Sequence, residues 1–310
     1  MTRVVVAGVI SVRLSKQVTG FPVPLVSSDV ISGGLGLRLA GAGWAAATAL
    51  RALGADVRFA TYVGADLPGR MVEHGLRGRG WWDSGIQVCA EQPRSLVMYD
   101  AAGTRCATSD LRATWDLRYP VDVYESVLDE QNTDVVLLGS VGFTRPLIDV
   151  TVARRVPIAT DMQCVVDADY PRKQDWLRAA TIVSCSHERL HGGPMTWIEA
   201  LWQRFATPVA IVGCGADGAL VALHDGRAVW HVAAAPTRGV RYVGGAGDTL
   251  LAAFLYHYFD HGDPVPALCS AALASGWMIG GGPDYEFDLT ARQLAELGSR
   301  HGEPEVRRVR

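Results

Sequence analysis

The segment Gly244-Gly-Ala-Gly-Asp-Thr249 runs directly into the apolar stretch Leu250 to Tyr256. Glycines that open a helix leave its first backbone N–H groups unpaired and aimed outward, with the positive end of the helix dipole behind them, which makes an anion hole. Small residues let a phosphoryl group come close to that backbone. A carboxylate in the same turn, Asp248, can take the proton of an attacking hydroxyl. The pattern also fits a glycine-rich helix start with Asp248 as an ordinary capping residue.

Other segments carry weaker signals. Val212-Gly-Cys-Gly-Ala-Asp-Gly-Ala219 reads as a glycine turn after an apolar run, and it has no Lys to make it a P-loop. Gly41-Ala-Gly-Trp-Ala-Ala46 fits the GxGxxA of a dinucleotide-binding turn. That motif should join the first strand to the first helix and be followed by an acid about 20 residues on. Here a stretch rich in turn residues precedes it, and neither Asp56 nor Asp66 ends an apolar strand. The histidines have no metal-ligand spacing, and the six cysteines form no CxxC pair, which is the usage of reduced thiols.

The elements that must position these residues alternate in type. Strands are expected at Val4 to Ile10, Val57 to Val63, Val135 to Leu138, Pro157 to Thr160, Thr181 to Cys185 and Val209 to Gly213. Their nearly continuous apolar runs suit a parallel sheet covered on both faces. Helical patterns lie at Gly43 to Leu53, Leu67 to Arg79, Trp197 to Phe205, Gly247 to Phe259 and Val265 to Ile279. The alternation predicts an α/β fold with right-handed crossovers. Residues 11–40 and 91–108 break the rhythm. The second contains Asp100-Ala-Ala-Gly-Thr104, a hairpin turn, and both read as antiparallel β forming a small lid over the site. The domain reading is a single unit, with core 1–10, 41–90 and 109–310.

Bulk properties narrow the partners. The 310 residues include 29 basic and 32 acidic side chains, a net charge of −3, and 49% are hydrophobic. A near-neutral chain has no electrostatic reason to seek nucleic acid or an anionic membrane. The terminal Arg307, Arg308 and Arg310 read as a solvated tail. No stretch approaches the ~20 apolar residues of a membrane span, and no cleavable leader is evident, so the cytoplasm is the expected location.

In order along the chain, these segments resemble the motifs of the ribokinase-like (PfkB) carbohydrate kinases. Gly41 to Gly54 with Tyr62-Val-Gly-Ala-Asp-Leu-Pro-Gly69 is similar to the family's N-terminal motif. Thr160-Asp161-Met-Gln163 resembles its mid-chain strand end, and Ser184-Cys-Ser-His-Glu188 its Asn-x-x-Glu element. Gly213 to Gly218 is similar to the nucleotide turn, Gly244 to Thr249 to the C-terminal GAGD motif, and Ala267 to Gly280 to the helix beside the adenine. The resemblance implies a doubly wound, mostly parallel sheet flanked by helices, with a small β lid that often forms a homodimer. It implies ATP and Mg²⁺, with Asp248 as base and the backbone of Gly245, Ala246 and Gly247 as anion hole. It further implies Glu188 holding Mg²⁺ through water, and Gly213, Gly215, Asp217 and Gly218 lining the ATP site. Asp161 would lie near the phosphates.

The substrate-reading half departs from that pattern. The acid usual five residues beyond Gly8 is Arg13, preceded by Ser11, and the substrate-binding Asn is Ala45 with Trp44 beside it. The mid-sheet Glu falls near Ser140, the Asn of Asn-x-x-Glu is Cys185, and the acid before GAGD is Tyr242, which puts monovalent-cation activation in doubt. Lost carboxylate and amide readers mean that a small polyol should not be gripped in the usual way. Arg13 reverses a sign, suiting an anionic or carbonyl-bearing acceptor, and Trp44 could stack on a ring. Ser11, Arg13, Gly41, Gly43, Trp44 and Arg105 are the expected acceptor contacts. A sugar, a nucleoside or a glycosylated natural product all fit as the small-molecule hydroxyl acceptor. A non-catalytic ligand-binding pseudokinase is the competing reading.

Overall fold

In the computed structural model, which describes residues 1–310 apart from the side chain of Gln131, the elements follow in this order. The strands are β1 (Arg3–Ala7), β2 (Ser11–Gln17), β3 (Leu35–Ala40), β4 (Asp56–Phe59), β5 (Thr61–Gly64), β6 (Ile86–Cys89), β7 (Arg94–Tyr99), β8 (Arg105–Asp110), β9 (Val135–Leu138), β10 (Ile158–Asp161), β11 (Ile182–Ser186), β12 (Val209–Gly213), β13 (Ala219–Leu223), β14 (Ala228–Val232) and β15 (Val306–Arg308). The helices are α1 (Ala42–Leu53), α2 (Leu67–Gly78), α3 (Val121–Gln131), α4 (Leu147–Ala153), α5 (Gln174–Ala179), α6 (Gly193–Phe205), α7 (Ala246–His261), α8 (Pro264–Ile279) and α9 (Ala291–His301).

The main sheet has the order β15-β14-β13-β12-β11-β10-β9-β1-β4. From β4 to β12 every pairing is parallel, whereas β13, β14 and β15 add antiparallel. The continuous apolar runs are explained by two covered faces. Val4 and Val6 of β1 join the core formed with α1, α7, α8 and α9, while Val5 and Ala7 join the core under α3, α4, α5 and α6. Side chains alternate across a strand, so both sets must be apolar. Burying each Val contributes about 1.5–3 kcal/mol. Among the described residues no helix is long and apolar enough to cross a membrane.

Four expectations are corrected. The small sheet is not wholly antiparallel, because β2 and β7, one from each inserted stretch, pair parallel. The run Val57 to Val63 is two strands, because the chain leaves the main sheet at Ala60 and Thr61–Gly64 pairs with β6 instead. The first strand ends at Ala7 rather than Ile10. Beyond it Gly43 N–H donates to the Val9 carbonyl at 3.1 Å, and a Cβ on Gly43 would sit 2.9 Å from the Gly8 carbonyl carbon. The terminal arginines are not a free tail: Arg307 and Arg308 pair with His231 and Trp230 along β14.

The small sheet has the order β3-β2-β7-β8. Its turn at Asp100 to Thr104 is closed by Asp100 Oδ1, which accepts from the N–H groups of Ala102 and Thr104 at 3.0 and 2.9 Å. One face carries Ser11, Ser15 and Val97, all buried. The opposite face exposes Leu14, Leu35, Leu37 and Leu96, with Leu37 58% exposed.

Candidate active site

Asp248 is the third residue of α7, after the N-cap Gly245, and its carboxylate makes no capping bond. The capping role that the sequence allowed is therefore not the one it plays. The side chain is half-buried in a cleft lined by Arg13, Arg38, Gly41, Trp44 and Glu286. Burial holds its pKa above the usual carboxylate range, and the charges of Arg13, Arg105 and Arg38 pull it back down. A carboxylate with no protein partner and a raised pKa is suited to take a proton.

The three amides expected to form an anion hole are not alike. Ala246 N–H donates to the Val243 carbonyl at 3.3 Å, whereas Gly245 and Gly247 N–H have no backbone partner among the described residues. A Cβ on Gly247 would meet nothing within 4 Å, so this side of the turn is open to an approaching group. Tyr242, standing where the relatives' acid was expected, is buried with its ring against Gly244 and offers no carboxylate.

Close enough to feel the charge of Asp248, the ends of β9 and β10 bring further polar groups together. Asp161 Oδ1 accepts from Gln163 N–H at 2.8 Å, and its carboxyl is pushed up to about 7 by burial and by the charge of Asp248. Ser140 Oγ donates to the Asp161 carbonyl at 2.8 Å, and Lys173 Nζ donates to both Ser140 oxygens at 2.6 Å. Burial lowers Lys173 to about 8, and Asp161 opposes that shift. Lys173 escaped the sequence reading because it sits beside Arg172 in a short turn with no periodic or motif cue.

Glu188 is exposed just beyond β11, where Cys164 Sγ donates to its Oε2 at 3.6 Å and its own N–H donates to Ser186 Oγ. Among the described residues no group of three or more metal-ligating side chains occurs. One exposed carboxylate fits Mg²⁺, which keeps several waters and is held by one or two carboxylates plus substrate phosphates.

The turn from Gly213 to Gly218 is fixed by Cys214 N–H donating to the Gly218 carbonyl at 2.7 Å. His187 Nδ1 lies 3.0 Å from the Gly213 carbonyl and His231 Nε2 lies 2.5 Å from that of Asp217. Gly215 and Asp217 are exposed at its tip. Gly218 has φ 93° and ψ −132°, and a Cβ there would lie 2.1 Å from the Val232 carbonyl oxygen. Only glycine fits.

The expected acceptor contacts divide. Arg13 and Gly41 line the cleft with Asp248, and Arg105, exposed on β8, is close enough to act on its charge. Ser11 is buried at the start of β2, opposite Ala40. Gly43 is taken up by packing against Gly8, so the two glycines of the GxGxxA pattern serve a chain crossing after a strand of the small sheet. Trp44 does not present a free ring face. It is 2% exposed, edge-on to Trp81, and covered by the Arg79 guanidinium at 4.6 Å. Its Nε1–H donates to Glu286 Oε1 at 2.7 Å, and Arg79 donates to Glu286 Oε2 at 2.6 Å. Arg38 and Glu286 are cleft residues that the sequence did not single out; neither stands in a motif.

The family model described as pfkB family carbohydrate kinase matches residues 1–282. No curated protein matches the chain. Several solved structures share the architecture. A microbiome-derived acarbose kinase superposes with a TM-score of 0.85 at 22% identity, covering 96% of this chain and 99% of that one. Arabidopsis thaliana ribokinase, complexed with ribose and ATP, gives 0.76 at 20%, covering 96% and 99%. A Burkholderia thailandensis nucleoside kinase in complex with inosine gives 0.74 at 17%, covering 97% and 99%.

Proposed function

This chain belongs to the pfkB family of carbohydrate kinases, and from that premise we propose that it transfers the γ-phosphoryl group of ATP to a hydroxyl of a sugar or sugar-like acceptor, with Asp248 as general base. The observation that carries this reading is the state of Asp248, which stands in the first turn of α7 and faces a cleft without a capping bond. An acceptor hydroxyl in that cleft would give its proton to Asp248 as its oxygen bonds to phosphorus. The bond from phosphorus to the β–γ bridging oxygen breaks, and ADP leaves with that oxygen's electrons. Gly245 and Gly247 N–H would stabilise the charge on the transferring group.

ATP would lie along the Gly213 to Gly218 turn beside α8, with Gly213, Gly215, Asp217 and Gly218 in contact. Mg²⁺, where bound, neutralises charge on the phosphates, and Glu188 would hold it through water. The small sheet acts as a lid that excludes water and limits wasteful hydrolysis. Its exposed leucine face supports a homodimer formed through the lid, and the whole chain works as one kinase domain in the cytoplasm. Tyr242 supplies no carboxylate for a monovalent cation.

The test compares the protein with Asp248→Asn for ADP release over a panel of sugars, nucleosides and glycosides. The variant should lose roughly 10²- to 10⁴-fold in kcat while retaining ATP binding. Equal turnover by Asp248→Asn removes Asp248 as base. ATP binding without turnover of any acceptor favours a pseudokinase.

A further inference from the structure

The cleft over Asp248 holds more positive charge than the base can use. Arg13 of β2 and Arg38 of β3 are direct register partners in an antiparallel pair, an arrangement in which like charges repel. Both line the cleft with Asp248, and Arg105 adds a third charge from β8. Among the described residues none of the three has a carboxylate oxygen within the 4.0 Å of an ion pair. The Nε atoms of Arg13 and Arg38 are buried and have no hydrogen-bond partner. Arg38 makes one bond, from Nη1 to the Tyr285 carbonyl at 2.7 Å. Burial and the neighbouring charge of Arg13 lower its pKa, yet a guanidinium in a protein keeps its proton.

The carboxylates at hand offset this only in part. Glu286 and Asp284 both act on the Arg38 charge, but Glu286 is bonded to Trp44 and Arg79, and among the described residues neither pairs with Arg13, Arg38 or Arg105. Asp248 faces the three cations without pairing with any. Buried donors that lack acceptors cost free energy unless a ligand satisfies them, and planar guanidinium forks match carboxylate and phosphate oxygens.

We infer that the acceptor is anionic, a molecule whose phosphorylated hydroxyl stands beside a carboxylate or a phosphate monoester bound by Arg13, Arg38 and Arg105. This rests on the kinase reading above for the position of the acceptor hydroxyl, while the charge itself is read from the cleft.

The test is binding rather than turnover. Calorimetric titration and thermal shift of the full chain, with saturating Mg·AMP-PNP, compare sugar acids and sugar phosphates, led by D-gluconate and fructose 6-phosphate, with neutral fructose and ribose. At least one anion should bind and raise Tm while its neutral counterpart does not, and which class responds separates carboxylate from phosphate. Arg13→Gln and Arg38→Gln should each weaken that binding about tenfold to a hundredfold and leave AMP-PNP binding unchanged. Arg105→Gln, at an exposed position, gives the same reading with no packing at risk. The inference is overturned if neutral sugars bind as well as the anions, if no anion binds, or if the Arg→Gln variants lose AMP-PNP affinity instead, because the arginines then serve the nucleotide. An anion that binds yet is never phosphorylated supports the inference and counts against the kinase reading. A neutral sugar phosphorylated by a protein that ignores every anion does the reverse.

Discussion

Arg13 and Arg38 face each other across the β2–β3 ladder of the small sheet, with no carboxylate among the described residues paired to either. Their juxtaposition sets two like charges at the mouth of the cleft that holds Asp248. In the free protein this pair opposes folding, by about 0.2–1 kcal/mol for charges directly opposite on a sheet.

Removing one charge should therefore stabilise the free protein at acid pH, where Asp248 is protonated and no longer attracts Arg13. Arg13→Gln is expected to raise Tm by about 1–2 °C at low ionic strength, following the usual relation between stability and Tm for a chain of this size. The gain should shrink in about 1 M salt, where the Debye length falls to about 3 Å. Differential scanning calorimetry at two salt concentrations checks both. A lower Tm at both would mean that the Arg13 stem contributes more by packing than its charge costs.

Asp161 and Asp248 form a second linked pair. With Asp161 pushed up to about 7, its ionised form is disfavoured in the folded protein. Its protonation contributes stability that is fully present below the unfolded pKa of about 3.9 and is lost as pH rises through about 7. Asp161→Asn should thus raise Tm at pH 8, with the gain fading toward pH 4. Calorimetric Tm against pH for both proteins checks this, and a gain that does not depend on pH would place the effect in packing rather than in charge.

Gly218 tests the proposed role of its turn in holding the nucleotide. Gly218→Ala puts a Cβ 2.1 Å from the Val232 carbonyl oxygen in a backbone region closed to alanine. The turn must open, so the KM for ATP should rise at least about tenfold (roughly 1.4 kcal/mol or more) with little change in acceptor binding. Steady-state kinetics against each substrate distinguish this from general damage.

The leucine face of the small sheet predicts self-association. Leu37→Glu places a charge among Leu14, Leu35 and Leu96 on the exposed side, where such an apolar patch marks an interface. The wild-type chain should sediment as a dimer and the variant as a monomer. A wild-type monomer at tens of micromolar would remove the lid-mediated dimer.

Much of this molecule is legible along the chain because its signals are local. The apolar runs that became β9 to β12 declare a sheet covered on both faces, since period-two side chains must be apolar on both sides. The glycines entering α7 declare a helix start with Asp248 in its first turn, because helix starts expose their amides wherever they occur. What the tertiary structure alone decided is nonlocal. Arg38 meets Arg13 only through strand register. Glu286 reaches Trp44 across 242 positions, turning an expected stacking platform into a tethered core ring. Lys173 comes to Ser140 and Asp161 only when β9 and β10 are placed side by side. Arg307 and Arg308 stop being a tail once β14 offers an unpaired edge. Residue types and short spacings state which chemistry is available at Asp248. Long-range pairing decides which charges surround it.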